Sequence, residues 1–432
     1  MTKTPNIIYI HSHDTGRYIQ PYGHAVPTPQ LQKLAEEGVL FRQNFCVNPT
    51  CSPSRAALLT GSYPHENGMT GLAHRGFALK NYKQHIVHTL KKAGYVTALT
   101  GTQHIYRGEE AWKGIGYDQF LGDLYDGTKG ALEFLENPPG EPFFLTVGYG
   151  LTHRPFPKLE DCPDDPKYSL PPTPLPDTPE TREDMVRFKA SARMLDEEIG
   201  KVMEALGHSG CADNTVVVCT TDHGLPFPHM KCNLHDSGIG TLLIIRGPKG
   251  FSDGKVVDAM VSHLDIFPTL CEIANIPKPE WLRGKSLLPL VNDICSDIHE
   301  ELFFEVNYHA AYNPMRAVRT KNFKYIRRFD GREIPILVNC DNGESKSYLL
   351  EHDWANKNIV EESLYDLLFD PNEMNNLACD PAFSSELTDM RERLVSWMKE
   401  SNDPLLSGAV PAPEGANICD ADNIDTRTKR NA

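Results

Sequence analysis

The sequence predicts an α/β protein in which a large, doubly wound, mostly parallel sheet flanked by helices precedes a smaller antiparallel sheet with one helix. Three observations carry this prediction. Over residues 6–274, apolar runs of strand length alternate with amphipathic helical stretches, as strands buried on both faces of a parallel sheet require. Polar clusters follow directly on the ends of four of these runs. Beyond residue 300 the runs become short, apolar-polar and punctuated by turn residues, the signature of antiparallel pairing.

The first run, residues 6–10, is continuously apolar apart from Asn6 and ends in His11, Ser12, His13 and Asp14. Thr28 and Pro29 then start a helix with Leu31 and Leu34 inward and Gly38 as its stop. Residues 39–45 lead into a stretch in which an extended segment carrying Cys51 runs into a helix that holds Arg55 and ends near Gly61. A helix over 85–93 precedes a strand over 95–100, which ends in Gly101, Thr102, Gln103 and His104. A helix over 129–135 precedes a strand over 143–147, which ends in Leu151, Thr152, His153 and Arg154.

From Pro155 to Pro179 the chain carries nine prolines, so a long extended surface excursion is expected there, and substrate-selecting contacts are placed on it. Thr178 and Pro179 open the clearest helix. Met185, Phe188, Ala192, Leu195, Ile199, Val202 and Leu206 recur three or four apart before Gly207, a core stripe. The strand over 215–219 ends in Thr221, Asp222, His223 and Gly224. A further strand over 241–245 and a helix over 265–274 close this part, with Ser262 and Asp265 read as capping residues.

Strands are then expected over 302–306, 315–320, 323–329 and 334–338, with a hairpin at Lys321 and Asn322 and a helix over 385–398 laid on the sheet. The division is 1–290 for the larger α/β domain, 291–406 for the smaller α+β domain and 407–432 for a loosely docked polar tail.

Composition narrows the function. Hydrophobic residues make up 40% and charged residues 23%, ordinary for a globular enzyme, and a formal net charge of -15 argues against nucleic acid as the main partner. No apolar stretch is long enough to span a bilayer, and no secretory leader pattern is seen at the amino terminus, so a cytoplasmic location without membrane association is expected. Eleven cysteines without C-x-x-C spacing read as reduced thiols, not as a disulfide framework or zinc cage.

In a doubly wound sheet, ligands bind outside the carboxyl ends of the strands. The pairs His13/Asp14 and Asp222/His223, with His104 and His153, all lie just past such ends, so one site is expected where they meet. Cys51 at a helix start faces free N–H groups and the positive end of the helix dipole, and Arg55 lies one turn on. The same pattern also fits a buried cysteine before a well-capped helix.

The wording of that stretch, Cys51, Pro53, Ser54 and Arg55 followed by Leu58, Leu59, Thr60 and Gly61, resembles the signature of the type I sulfatases of the alkaline-phosphatase-like superfamily. The block Thr220, Thr221, Asp222, His223, Gly224 supports it. The resemblance covers most of residues 5–275 and thins to isolated blocks between 300 and 378. Leu225, Pro226, Phe227 and Pro228 with Lys231, Cys232, Asn233 and Leu234, and His65 to Met69, look most like the heparan N-sulfatases.

The resemblance implies hydrolysis of a sulfate ester or N-sulfate, on a sulfated carbohydrate, through a formylglycine made from Cys51 by a maturation enzyme. The hydrated aldehyde would attack with one hydroxyl and expel sulfate with the other. His13, Asp14, residue 51, Asp222 and His223 would hold a divalent metal. Calcium is the family's usual ion, while the imidazoles move preference toward manganese or another divalent metal. Arg55 would steady the nucleophile, His104 would accept its proton, His153 would bind sulfate or protonate the leaving group, and Lys231 would sit at the leaving oxygen. Either His153 or Lys231 could instead be a surface group. Arg154 reads as a salt-bridge partner. The family's usual lysine is replaced by Thr102, with Arg107 or His74 as substitute cations. A phosphonate monoester or phosphodiester hydrolase of the same fold, and a catalytically silent binding protein, stand as alternatives.

Overall fold

The structure is a computed structural model and describes residues 3–140 and 142–426; the last part of the polar tail, 427–432, lies outside the described residues. A nine-stranded sheet is built from β1 (Asn6–Ser12), β2 (Val39–Phe45), β3 (Val96–Gly101), β4 (Gln119–Phe120), β5 (Phe143–Gly148), β6 (Thr215–Thr221), β7 (Gly240–Thr241), β8 (Leu243–Arg246) and β9 (Lys255–Ser262). Its order is β4-β3-β5-β1-β6-β8-β2-β7, with β9 beside β2. The four strands β3, β5, β1 and β6 are parallel neighbours at its centre.

Alternation along these strands makes the two faces of the core. Ile7, Tyr9, Val216 and Val218 face one side, with Ala56, Leu58 and Leu59 of the helix Cys51–Thr60 and Ile266, Phe267 and Leu270 of the helix Ile266–Ile273. Ile8, Ile10, Val217 and Cys219 face the other, with Leu31 and Leu34 of the helix Pro29–Glu37 and Leu195, Ile199 and Val202 of the helix Pro179–His208. Strands apolar on both faces can only lie between two helical layers. The long helix starts as its sequence predicts, with Thr178 as N-cap and Pro179 at its first position, and it runs one residue past Gly207. Asp196, within it, caps its neighbour by accepting from Gln30 N and Leu31 N at 3.0 and 2.8 Å.

Three expectations need correction. The strand expected over 241–245 is two short pieces, β7 and β8, and both run antiparallel to β2. β8 also runs antiparallel to its other neighbour, β6. Residues 334–338 form no strand; a 3-10 turn, Leu337–Asn339, stands there instead. β9 pairs parallel with β2 and has no counterpart among the expected strands.

The second sheet has the order β10 (Glu301–Tyr308), β11 (Tyr312–Thr320), β12 (Phe323–Arg328) and β13 (Glu362–Asp366), all antiparallel. One face packs Leu302, Phe304, Val306 and Ala317 onto Phe45, Leu234, Ile239 and Met260 of the first unit. The other is covered by Leu387, Met390, Leu394 and Trp397 of the helix Ser384–Glu400.

The described part of the tail is tied down, not loosely docked. Val410 is buried, Val410 N donates to Tyr312 Oη, and Asn417 N and Cys419 N donate to Arg75 O and Ala310 O at 2.8 Å. The proline-rich excursion lies along the long helix through Arg193–Asp164 and Lys189–Ser169 contacts. Among the described residues, no helix is long and apolar enough to cross a membrane.

Candidate active site

The site forms where four parallel strands end side by side. Ser12 pairs with Thr221 in register, so the residues just past β1 and β6, Asp14 and Asp222, become neighbours, and Asp14 N donates to Asp222 Oδ1 at 2.8 Å. On the other side of β1, β5 delivers His153 and β3 delivers His104. Glycines let these last two strand ends approach. A Cβ on Gly101, which has φ +77, would lie 1.9 Å from Gly148 O, which no side chain could tolerate.

The helix Cys51–Thr60 points its start at this junction. Thr50 is extended, Cys51 is the first helical residue, and Ser54 Oγ donates to Asp222 O at 2.5 Å. His13, Asp14, Cys51, Asp222 and His223 each place one ligand atom within 4.8 Å of all the others. His13 Nδ1 lies 2.8 Å from Asp14 Oδ1 and 3.2 Å from Asp222 Oδ2, and His223 Nε2 lies 3.3 Å from Asp14 Oδ1 and 3.5 Å from Cys51 Sγ. All five residues are buried.

Two cations balance the carboxylates. Arg55 Nη2 donates to Asp222 Oδ2 and to Ser12 O, both at 2.9 Å, and its Nη1 meets His11 Nδ1. Lys231 Nζ donates to Asp14 Oδ2 and to Asp341 Oδ2, both at 2.9 Å. Burial pushes the carboxyl of Asp14 up, but Lys231 and then His13 outweigh it and hold it well below the usual range. Asp222 is likewise held low, by Arg55 and His13 against its own burial. Burial lowers His13 to about 4, so its imidazole is neutral at neutral pH.

This donor set fits a divalent cation: two ionised carboxylates and a neutral imidazole at His13 converge with His223 and residue 51, with no proton on either carboxylate to be displaced. The thiol itself fits a nucleophile poorly. Burial first, and then Asp14 and Asp222 against Lys231, push the Cys51 thiol well above its ordinary value, so it is not a thiolate at neutral pH.

The remaining candidates stand around this cluster. His104, with φ 57, places Nδ1 3.4 Å from His13 Nε2, and burial followed by His13 keeps its imidazole neutral. His153 Nε2 lies 3.9 Å from Asp14 Oδ2, with its side chain 38% exposed at the mouth. Arg154 pairs with Asp184 at 2.7 Å and lies over Phe156 and Phe227, outside the ligand cluster. Thr102 Oγ1 donates to Leu124 O at 3.0 Å and so serves its loop. Of the two substitute cations, His74 stacks on His104 with Nδ1 3.2 Å from its Nε2, whereas Arg107 is exposed.

Three participants were not assigned from the sequence. His11 sits inside a strand end otherwise read for His13 and Asp14. Asp341 and His309 come from the C-terminal part, with no motif near them; Asp341 is 110 positions from the lysine it pairs with. His309 is buried, and its Nδ1 has no hydrogen-bond partner among the described residues.

Comparison with known proteins shows the family. The sulfatase family model matches residues 5–276, and the model described as N-sulphoglucosamine sulphohydrolase, C-terminal, matches residues 228–345. An ulvan-active sulfatase of Formosa agariphila is 29% identical over 93% of this chain and 76% of its own length. The human N-sulphoglucosamine sulphohydrolase is 28% identical over 90% of this chain and 88% of its own. The fold is shared more widely: the solved phosphonate monoester hydrolase of Silicibacter pomeroyi superposes with a TM-score of 0.71 at 21% identity, covering 96% of this chain and 99% of that one. With more than half of the chain matched by the family model and the strand-end residues gathered as described, the chain belongs to the sulfatase family.

Proposed function

We propose that this sulfatase hydrolyses a sulfate ester or an N-sulfate on a sulfated sugar, with a formylglycine made from Cys51 and a divalent cation. The observation that carries the reading is the convergence of His13, Asp14, Asp222 and His223 on residue 51 at a helix start. The relatives' activities on ulvan and on N-sulphoglucosamine support the sugar.

A cation held by His13, Asp14, Asp222, His223 and residue 51 would supply positive charge against the sulfate oxygens. The carboxylates favour calcium, and the imidazoles favour manganese or another borderline metal. The aldehyde made from Cys51 supplies, when hydrated, the oxygen nucleophile that the buried thiol lacks. Cys51 is 2% exposed, so a maturation enzyme would act before this helix is packed.

The chain's own residues do the rest. Arg55 fixes Asp222 and the strand end at Ser12 in one geometry, a task suited to a planar guanidinium. Lys231 is charged, since Asp14 and Asp341 outweigh the burial that would lower it, and it meets the oxygen of the leaving group. His104, neutral, accepts the proton from residue 51, and His153 at the mouth protonates the departing sugar. The eleven cysteines, all free thiols, support a reducing compartment.

The test is peptide mass spectrometry of the Cys51 segment after expression beside a maturation enzyme, followed by turnover of N-sulfated and O-sulfated glucosamine and of aryl sulfate, phosphonate and phosphodiester with one leaving group. Formylglycine with sugar-sulfate turnover is expected. A persistent thiol would favour a silent binding protein, and faster phosphonate or phosphodiester than sulfate turnover would favour the phosphorus hydrolase.

A further inference from the structure

One carboxylate of the C-terminal part reaches the site. Asp341 follows the 3-10 turn Leu337–Asn339, and its Oδ2 receives the second hydrogen bond of Lys231. Its side chain is 22% exposed, whereas those of Asp14 and Asp222 are 0% exposed, so it is the carboxylate of the three that an incoming molecule touches. An ionised carboxylate accepts hydrogen bonds and repels anions, so it does not suit sulfate oxygens. It suits a donor on the group that carries the sulfate.

Its position is set by residues with no part in the chemistry. Lys346 Nζ donates to Cys340 O, Asn342 Oδ1 and Ile424 O at 2.8, 2.9 and 2.8 Å, gripping both neighbours of Asp341 and the tail at once. Asn339 Oδ1 accepts from Ala310 N and Ala311 N at 2.9 and 2.8 Å, which ties the same turn to the segment bearing His309. The tail then binds that segment through Cys419 N to Ala310 O, and the segment bearing His74 through Asn417 N to Arg75 O, both at 2.8 Å. Residues 410–424 thus strap together the three rim segments that carry His74, His309 and Asp341.

Resting on the sugar-sulfatase reading above, we propose that Asp341 is a specificity-determining residue whose carboxylate accepts a hydrogen bond from a hydroxyl or ammonium group of the sugar beside the bond being cut, and that Lys346 and the 410–424 strap position it. Aryl sulfates have no such donor. A hydrogen bond to a charged group is strong enough that its loss weakens binding by about 10-fold to 100-fold.

The test is calorimetric titration of the matured full-length protein with D-glucosamine, with D-glucose and with inorganic sulfate, on wild type, Asp341→Ala and Lys346→Met, each checked by its melting curve. Wild type is expected to bind the amino sugar; D-glucose binding equally well assigns the contact to a hydroxyl, and failing to bind assigns it to the ammonium. Asp341→Ala is expected to weaken sugar binding at least tenfold without weakening sulfate, and Lys346→Met to shift sugar affinity in the same direction. The proposal is overturned if wild type binds neither sugar, if sugar affinity in Asp341→Ala is unchanged, or if sugar and sulfate weaken alike. Turnover of 4-nitrophenyl sulfate by the same wild-type preparation tests the sulfatase reading separately, since it needs no sugar contact.

Discussion

Lys231→Met removes an ammonium that bridges the candidate metal-ligand cluster and the C-terminal part while keeping most of its apolar stem. The ammonium lies 2.9 Å from each of two carboxylates, and its side chain is 2% exposed. At an effective permittivity of about 20, each contact is worth about 6 kcal/mol of bare Coulomb attraction. Burying the charges offsets most of that, and losing one partner of such a buried arrangement costs about 3–5 kcal/mol. In the variant the carboxylates of Asp14, Asp222 and Asp341 lose one of the two cationic side chains, Arg55 and Lys231, that balance them, so the pocket that would receive an anion is one charge more negative. We expect kcat/KM to fall about 100-fold to 1000-fold, the size of losing one preorganised donor to a developing negative oxygen.

Leaving groups sharpen this. A sugar oxygen or nitrogen departs as a strong base and needs the cation more than nitrophenolate does, so the loss should be about tenfold larger on sulfated glucosamine than on 4-nitrophenyl sulfate. The assay is steady-state hydrolysis of both substrates, with a melting curve to show that the variant is folded. A fall below about fivefold, or an equal fall on both substrates, refutes the placement of Lys231 at the leaving atom.

Other outcomes follow from the same structure. In protein made without maturation, iodoacetamide at about pH 8 labels exposed Cys379 and leaves Cys51 unlabelled until denaturant is added, since burial keeps that thiol protonated; mass spectrometry reads both sites. Chelator abolishes turnover and a divalent cation restores it, with manganese and calcium compared at equal concentration. Arg316→Met strips buried Asp403 of its guanidinium partner and destabilises the fold by about 3–5 kcal/mol, read as a lower denaturant midpoint.

His65 gives a pH prediction with a definite sign. Glu305 outweighs the burial of His65 and raises its value above 6.5, so the pair's stabilisation is fully present below about pH 6.5 and is lost as pH rises through the folded value. The melting-temperature difference between wild type and His65→Gln should shrink on that rise, and a difference that grows would reverse the assignment.

Much of the fold is local pattern. Residues 7–10 and 216–219 are apolar without alternation, as a strand between two helical layers requires, and Thr178 with Pro179 fixes where the long helix begins. Pairing is not local: whether β8 runs with or against β6 depends on a return loop, and residues 334–338 yield to a strand at Glu362–Asp366, whose partner β12 is far along the chain.

The sequence by itself determined the parallel centre of the sheet and the edge of it at which the candidate site residues gather. Parallel strands end on one edge, so polar residues just past those ends, His13, Asp14, His104, His153, Asp222 and His223, must gather there whatever the loops do. Only the tertiary structure decided what closes the pocket. Asp341, His309 and the tail that holds them reach the site from the C-terminal part of the chain, and their contacts with Lys231, Ala310 and Arg75 span distances in sequence that no periodicity or capping rule encodes.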